Sequence, residues 1–222
     1  MKRALIVRGG WDGHEPEQCA DLAKSALEDS GFDVEVSGSL RSYTDETLME
    51  SVDLIVQVWT LGTISDPQLE GLLDAVASGV GFAGWHGGMC DSFRQNDKYH
   101  FLCGGQFVAH LGGLVEYDVN IVKTKDPIAL GLGDFSLFSE QYYMQVDPSN
   151  EVLATTTFDA AYERVGHIHV VMPVIWKRKY GEGRVFYASF GHQARDFEVP
   201  EAKEIIKRGM LWAGTALAAG GQ

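Results

Sequence analysis

Short apolar runs alternate with amphipathic segments through residues 1–85, and this alternation restricts the chain to layered folds in which helices cover a sheet. Residues 4–7 form an unbroken apolar run closed by Gly9 and Gly10. Residues 53–59 and 80–85 repeat the pattern, which is how strands buried on both faces read. Between them Pro16 opens a segment in which Cys19, Leu22, Ala23, Ala26 and Leu27 recur at helical spacing before Gly31. Phe32, Val34 and Val36 alternate with charged residues as a strand, and residues 44–51 predict a short capped helix. Ser65-Asp66-Pro67-Gln68 starts a longer helix that turns Leu69, Leu72, Leu73 and Val76 inward. Right-handed crossovers between such units give a mostly parallel sheet. Ligands bind such a sheet beyond the carboxyl ends of its strands, here the loops starting at Gly9, Trp59 and Trp85.

The second half is less regular. Val115, Tyr117, Val119 and Ile121 alternate as an exposed strand, whereas residues 126–145 read as a long functional loop rich in aromatics. Residues 152–158, 170–176 and 184–190 predict further strands, the last two joined by Gly181-Glu182-Gly183. A closing helix is expected over residues 200–217 with Ile205, Ile206, Met210 and Leu211 inward. With 222 residues, 45% of them hydrophobic, one domain over residues 1–222 is expected.

A net charge of −13 argues against nucleic acid as a partner. Lys177-Arg178-Lys179, the only basic run, reads as a solvated strand end. Cys19, Cys90 and Cys103 are an odd count without close pairing, which suits a reducing cytoplasm. The apolar run after Lys2 and Arg3 is too short for a signal-peptide core, and no stretch has the roughly 18 apolar residues of a membrane span.

Gly84-Trp85-His86-Gly87-Gly88 directly follows a strand. Small residues on both sides of one side chain permit the sharp strand-to-helix turn that holds a nucleophile at a sheet edge in many hydrolytic enzymes. Here the turn presents His86. An imidazole can serve as base, acid or metal ligand but cannot form the acyl intermediate of a thiolate. Cys90, the nearest thiol, lies past the turn and reads as a small buried residue; a glutaminase using it is an alternative the sequence leaves open.

His86 in its glycine setting, Cys103-Gly104-Gly105-Gln106-Phe107-Val108-Ala109-His110, and the stretch from Pro127-Ile128-Ala129-Leu130-Gly131-Leu132 to Glu140-Gln141-Tyr142 resemble the ThuA-like (trehalose utilisation) family. So do Met172-Pro173-Val174-Ile175-Trp176, residues 181–187, Phe190-Gly191-His192, Phe197, Pro200 and Gly209-Met210-Leu211-Trp212-Ala213. The resemblance implies a flavodoxin-like three-layer α/β/α fold related to class I glutamine amidotransferases. It also implies a link to trehalose or related disaccharides and their keto derivatives. Ser139 departs from the pattern, since the family often has aspartate there. No acidic residue stands two positions after His192, because Ala194 occupies that place, so a conventional catalytic triad is not expected.

The resulting expectation is a protein that acts on or binds a small carbohydrate at the sheet's carboxyl edge. His86 and His192 are the candidate base and acid, and Glu140 is their carboxylate partner. Trp11, His14, Trp85, His110 and Tyr142 are the candidate substrate contacts, Trp11 offering a flat face to a sugar ring. Should three or four of His14, His86, His110, Glu140 and His192 converge, they suit zinc or another divalent first-row metal. The alternatives are a non-catalytic sugar-binding or regulatory module and a metal-dependent hydrolase. A homodimer is the base-rate assembly for a soluble homo-oligomer.

Overall fold

The computed structural model describes residues 1–162 and 164–214. Nine strands form one sheet in the order β2-β1-β3-β4-β9-β8-β7-β5-β6. Strands β1 (Lys2–Gly10), β2 (Phe32–Ser37), β3 (Leu54–Thr60), β4 (Gly81–Trp85) and β9 (Gly183–Ala188) lie parallel to their neighbours among these five. This half meets the expectation of a parallel sheet. Strands β5 (Gly105–Ile121), β6 (Phe135–Val146), β7 (Glu151–Tyr162) and β8 (Gly166–Tyr180) extend it with antiparallel pairings.

Each parallel strand sends alternate side chains to opposite faces, so an uninterrupted apolar run feeds two cores. Ala4, Ile6, Val56, Val58, Ala83 and Phe186 pack on one face with α1 (Pro16–Glu28) and α6 (Pro200–Ala213). Leu5, Val7, Ile55, Phe82, Val185 and Tyr187 pack on the other with α3 (Asp66–Ala77) and α5 (Asp97–Cys103). Fully burying a Leu, Ile, Val or Phe side chain contributes about 1.5–3 kcal/mol, which makes these runs the main force holding the layers together. Helix α3 begins as the sequence anticipates: Ser65 caps it, and its backbone N–H donates to the Gln68 side chain at 3.0 Å. The short helix after β2 is α2 (Glu46–Ser51), capped by the Asp45 carboxylate.

Two expectations are corrected. Residues 135–146 form strand β6 instead of continuing a loop; they pair with β5 along most of its length, and the strand buries Phe135 and Leu137 in one core and Tyr142 and Met144 in the other. Lys177 and Arg178 are not solvated. Lys177 is enclosed by Asp126 and Glu151 and lies over the Trp212 ring, while Arg178 pairs with Asp147 against Phe101. The closing helix is described to Ala213, and the expected residues 215–217 lie outside the described residues. Among the described residues no helix is long and apolar enough to cross a membrane.

Candidate functional site

The chain leaves β1 for β2 on one side and leaves β3 for β4 on the other, so these two connections diverge and open a crevice at the carboxyl ends of β1 and β3. His14 enters from the short 3-10 turn Asp12–His14 that follows β1. Its Nδ1 lies 2.8 Å from the Thr60 hydroxyl at the end of β3, leaving Nε2 free to face inward.

His86 stands between β4 and α4 (Gly87–Cys90) with φ 46° and ψ −141°, a conformation an L-residue rarely adopts. Backbone hydrogen bonds hold it there: His86 N–H donates to Ala188 O at 2.7 Å, and Tyr187 Oη donates to His86 O at 3.0 Å. The glycine that follows is required by its surroundings, because a Cβ on Gly87 would collide with the His14 ring and crowd the Tyr142 hydroxyl. The His86 Nδ1 is 2.9 Å from Ser189 O. A carbonyl only accepts, so Nδ1 carries the proton and the Nε2 lone pair points at Glu140 Oε2, 3.2 Å away.

Glu140 arrives from β6 in the antiparallel half, and His192 from the loop beyond β9. His192 Nδ1 lies 3.3 Å from Glu140 Oε2 but off the hydrogen-bonding direction, and it is a buried nitrogen without a partner. The three imidazoles crowd one another edge to face, with centroids 4.8 Å (His14 to His86), 5.0 Å (His14 to His192) and 5.4 Å (His86 to His192) apart. One ligand atom from each of His14, His86, Glu140 and His192 falls within 4.8 Å of all the others. Three imidazoles and a carboxylate at that separation make a donor set for a divalent first-row cation.

The electrostatics favour the neutral form of His14 and of His86. Burial, reinforced by His86 and His192, takes the His14 pKa down to about 3. Burial also lowers that of His86, against the opposing pull of Glu140. For Glu140 burial resists ionisation, but the His192 and His86 rings beside it outweigh that and hold the carboxyl well below the usual range. Neutral His14 and His86 beside an ionised Glu140 offer lone pairs and a negative charge to a cation.

Acidic side chains tie these loops together. The Asp196 Oδ2 accepts from the His192 backbone N–H at 2.8 Å and from the Ser139 hydroxyl at 2.5 Å, joining the His192 loop to the strand that carries Glu140. The Glu15 Oε2 accepts from the Ala194 N–H at 3.0 Å, joining the His14 loop to the same segment. Thus Ser139, where the family often has a carboxylate, makes contact with one.

Of the residues singled out in the sequence, His14, His86, Glu140 and His192 come together. His110 stands at the rim on β5, its side chain 44% exposed and its Nε2 3.7 Å from Glu140 Oε1. The β5 register shifts between His110 and Leu114, where Gly112 and Gly113 both have positive φ, and this bulge sets which side chains reach the rim. Trp11 is 49% exposed and edge-on to His14 at 4.8 Å. Tyr142 is buried beneath the cluster, stacked on His86. Trp85 leaves the set of substrate contacts: it is 3% exposed in the core, edge-on to Phe197, because strand alternation turns it away from the face that His86 tops. Thr60, Ser189 and Asp196 were not anticipated. Asp196 had one sequence signal, a carboxylate four residues after His192.

The comparisons with known proteins agree with the fold. The chain superposes on a ThuA-like protein from Parabacteroides merdae with a TM-score of 0.77 at 18% identity, covering 100% of this chain and 92% of that one. A ThuA-like protein from Bacteroides uniformis gives 0.76 at 16% identity over 96% and 91% of the two chains. A β-galactosidase from Bacillus circulans sp. alkalophilus gives 0.59 at 13% identity, the match taking up 96% of this chain and 30% of that longer one. At such identities the likeness is one of fold. No curated protein matches by sequence. The trehalose utilisation model, ThuA, matches residues 3–213, and the chain belongs to that family.

Proposed function

We propose that this protein is a divalent-cation-dependent enzyme acting on a small sugar, with His14, His86, His192 and Glu140 as the cation's ligands. The observation that carries the reading is the buried convergence of those four side chains, including a His192 nitrogen that has no hydrogen-bond partner. The family's association with trehalose utilisation supports a carbohydrate as the substrate.

The reaction class that suits these groups is proton abstraction beside a carbonyl, as in isomerisation or elimination of a keto-sugar. A bound cation would polarise the carbonyl oxygen as a Lewis acid. His110, exposed at the rim next to Glu140, is placed to take the proton from the carbon beside that carbonyl. The electron pair of the broken C–H bond then forms an enediolate. In isomerisation the hydroxyl proton passes from one enediolate oxygen to the other, and His110 returns its proton to the former carbonyl carbon. In elimination the electron pair instead expels an alkoxide from the next carbon, and the same proton goes to that oxygen. Trp11 offers its exposed indole face to the sugar ring, while Tyr142 packs behind His86.

A second reading assigns His86 and His192 as base and acid around Glu140 with no cation; the His86 to Glu140 contact of 3.2 Å favours it. Metal analysis of the purified protein, followed by assay of keto-disaccharide turnover before and after chelation, separates the two. One equivalent of a first-row metal per chain, with turnover lost on chelation and regained on re-addition, is expected. Metal-free protein with full turnover that His86→Ala abolishes would establish the second reading. Sugar binding without product under any condition would make the protein a binding module.

A further inference from the structure

An open groove of about 340 Å³ lies between residues 61–64 and residues 93–96. Both of its walls continue along the chain from residues that hold the site. One continues directly from Thr60, the hydrogen-bond partner of His14, into Leu61 and Thr63. The other continues from α4, which His86 heads, through Asp91 to Phe93 and Arg94.

The walls are fastened to each other. Leu61 N–H donates to Asp91 O at 3.1 Å, Phe93 N–H donates to Leu61 O at 3.4 Å, and Leu61 bridges to Ser92 as in a parallel ladder. Leu61 and Phe93 both take positive φ, 62° and 48°, which side-chain-bearing residues avoid unless their surroundings impose it. The groove is therefore a fixed shape that exists before a ligand arrives.

Its polar centre is Arg94. The guanidinium Nε and Nη2 grip the two carboxylate oxygens of buried Asp91, and its Cζ lies 5.3 Å from the Phe107 ring centroid. Phe107 is 4.3 Å from Tyr142, which stacks on His86 at 3.8 Å, so three ring contacts connect the groove to the cluster. The side chain of Arg94 is 50% exposed, and its Nη1 makes none of the contacts to Asp91. Because Asp91 neutralises the guanidinium, the groove suits an uncharged polyol better than an anion. Thr63 and Gln95 add a hydroxyl and an amide, while Ile64 supplies an apolar surface. Its volume falls at the small end of ligand sites, about 300–1,000 Å³, enough for one sugar ring.

We propose that this groove is the subsite for the second ring of a disaccharide whose first ring lies at the His/Glu cluster, with the free edge of Arg94 donating to its hydroxyls. This rests on the sugar-active reading above. Isothermal titration of the intact protein with trehalose and with glucose tests it, using wild type, Arg94→Ala and Thr63→Trp. The tryptophan fills the groove from an exposed position and leaves the Asp91 pair intact, so it serves even if removing Arg94 disturbs folding. Wild type should bind trehalose at least about tenfold more tightly than glucose. Both variants should lower trehalose affinity to that of glucose and leave glucose unchanged. Equal affinities in wild type, or equal loss of both sugars in both variants, would overturn the subsite while leaving a sugar at the cluster. Tighter binding of trehalose 6-phosphate than of trehalose would overturn the uncharged-ring assignment. If neither sugar binds to wild type, the sugar-active reading falls and the subsite with it.

Discussion

Tyr142 lies face to face on His86, with ring centroids 3.8 Å apart and planes inclined by 27°. The stack closes one side of the cluster and leaves the His86 nitrogens in the plane they need for Ser189 and Glu140. Tyr142→Phe keeps the ring and should retain both melting temperature and metal content. Tyr142→Ala removes a buried ring and should cost about 3 kcal/mol of stability. Thermal melts and metal analysis of the two variants check this, and loss of metal in both would show that the hydroxyl matters more than the stack.

Asp196 acts at one remove, through His192 and Ser139. Substituting it by alanine leaves the buried His192 N–H without an acceptor, a loss of about 1–3 kcal/mol. Groups that support metal ligands in this way typically change affinity by about 10- to 100-fold. Asp196→Ala should therefore weaken zinc in a competition titration against a chromophoric chelator, and Ser139→Ala should weaken it less, since it removes a single hydrogen bond. Wild-type affinity in Asp196→Ala would mean that the carboxylate does not position the ligand.

Metal-stripped protein should become less stable in acid for a reason located at His14. Its folded pKa of about 3 lies below its unfolded value of 6.5, so protons bind the unfolded chain first. The stability that neutral His14 contributes is complete above pH 6.5 and is lost as pH falls toward 3. Urea melts in the presence of a chelator should show this decline, and His14→Gln should flatten it. A His14→Gln profile parallel to wild type would place the acid sensitivity elsewhere.

Cys90 is fully buried, and burial raises its thiol well above the ordinary value. Iodoacetamide should leave Cys90 unmodified in the folded protein at neutral pH and modify it after denaturation, read by peptide mass analysis. Rapid labelling of native protein by a glutamine-analogue electrophile would restore the glutaminase alternative.

How much of this was legible beforehand differs by residue. The run Ala4 to Val7 announced a central strand because four consecutive apolar side chains can be buried only if both faces are covered. The glycines around His86 announced a tight turn, and the backbone there has positive φ. His14 and His192 were recognisable as residues following strands, at the edge where such sheets bind ligands. Glu140 could be named but not located: residues 126–145 read as a loop, whereas it sits on β6 opposite Leu114. Which face Trp85 takes, and that Asp196 reaches Ser139 57 residues away, were likewise unreadable. Periodicity along a chain reports local burial and turning, so the sequence by itself determined the strands of the parallel half, their crossovers and the imidazole-bearing turns. The meeting of three histidines with one glutamate depends on how the antiparallel half folds back against the parallel one. That is settled by packing between distant segments, and only the tertiary structure decided it.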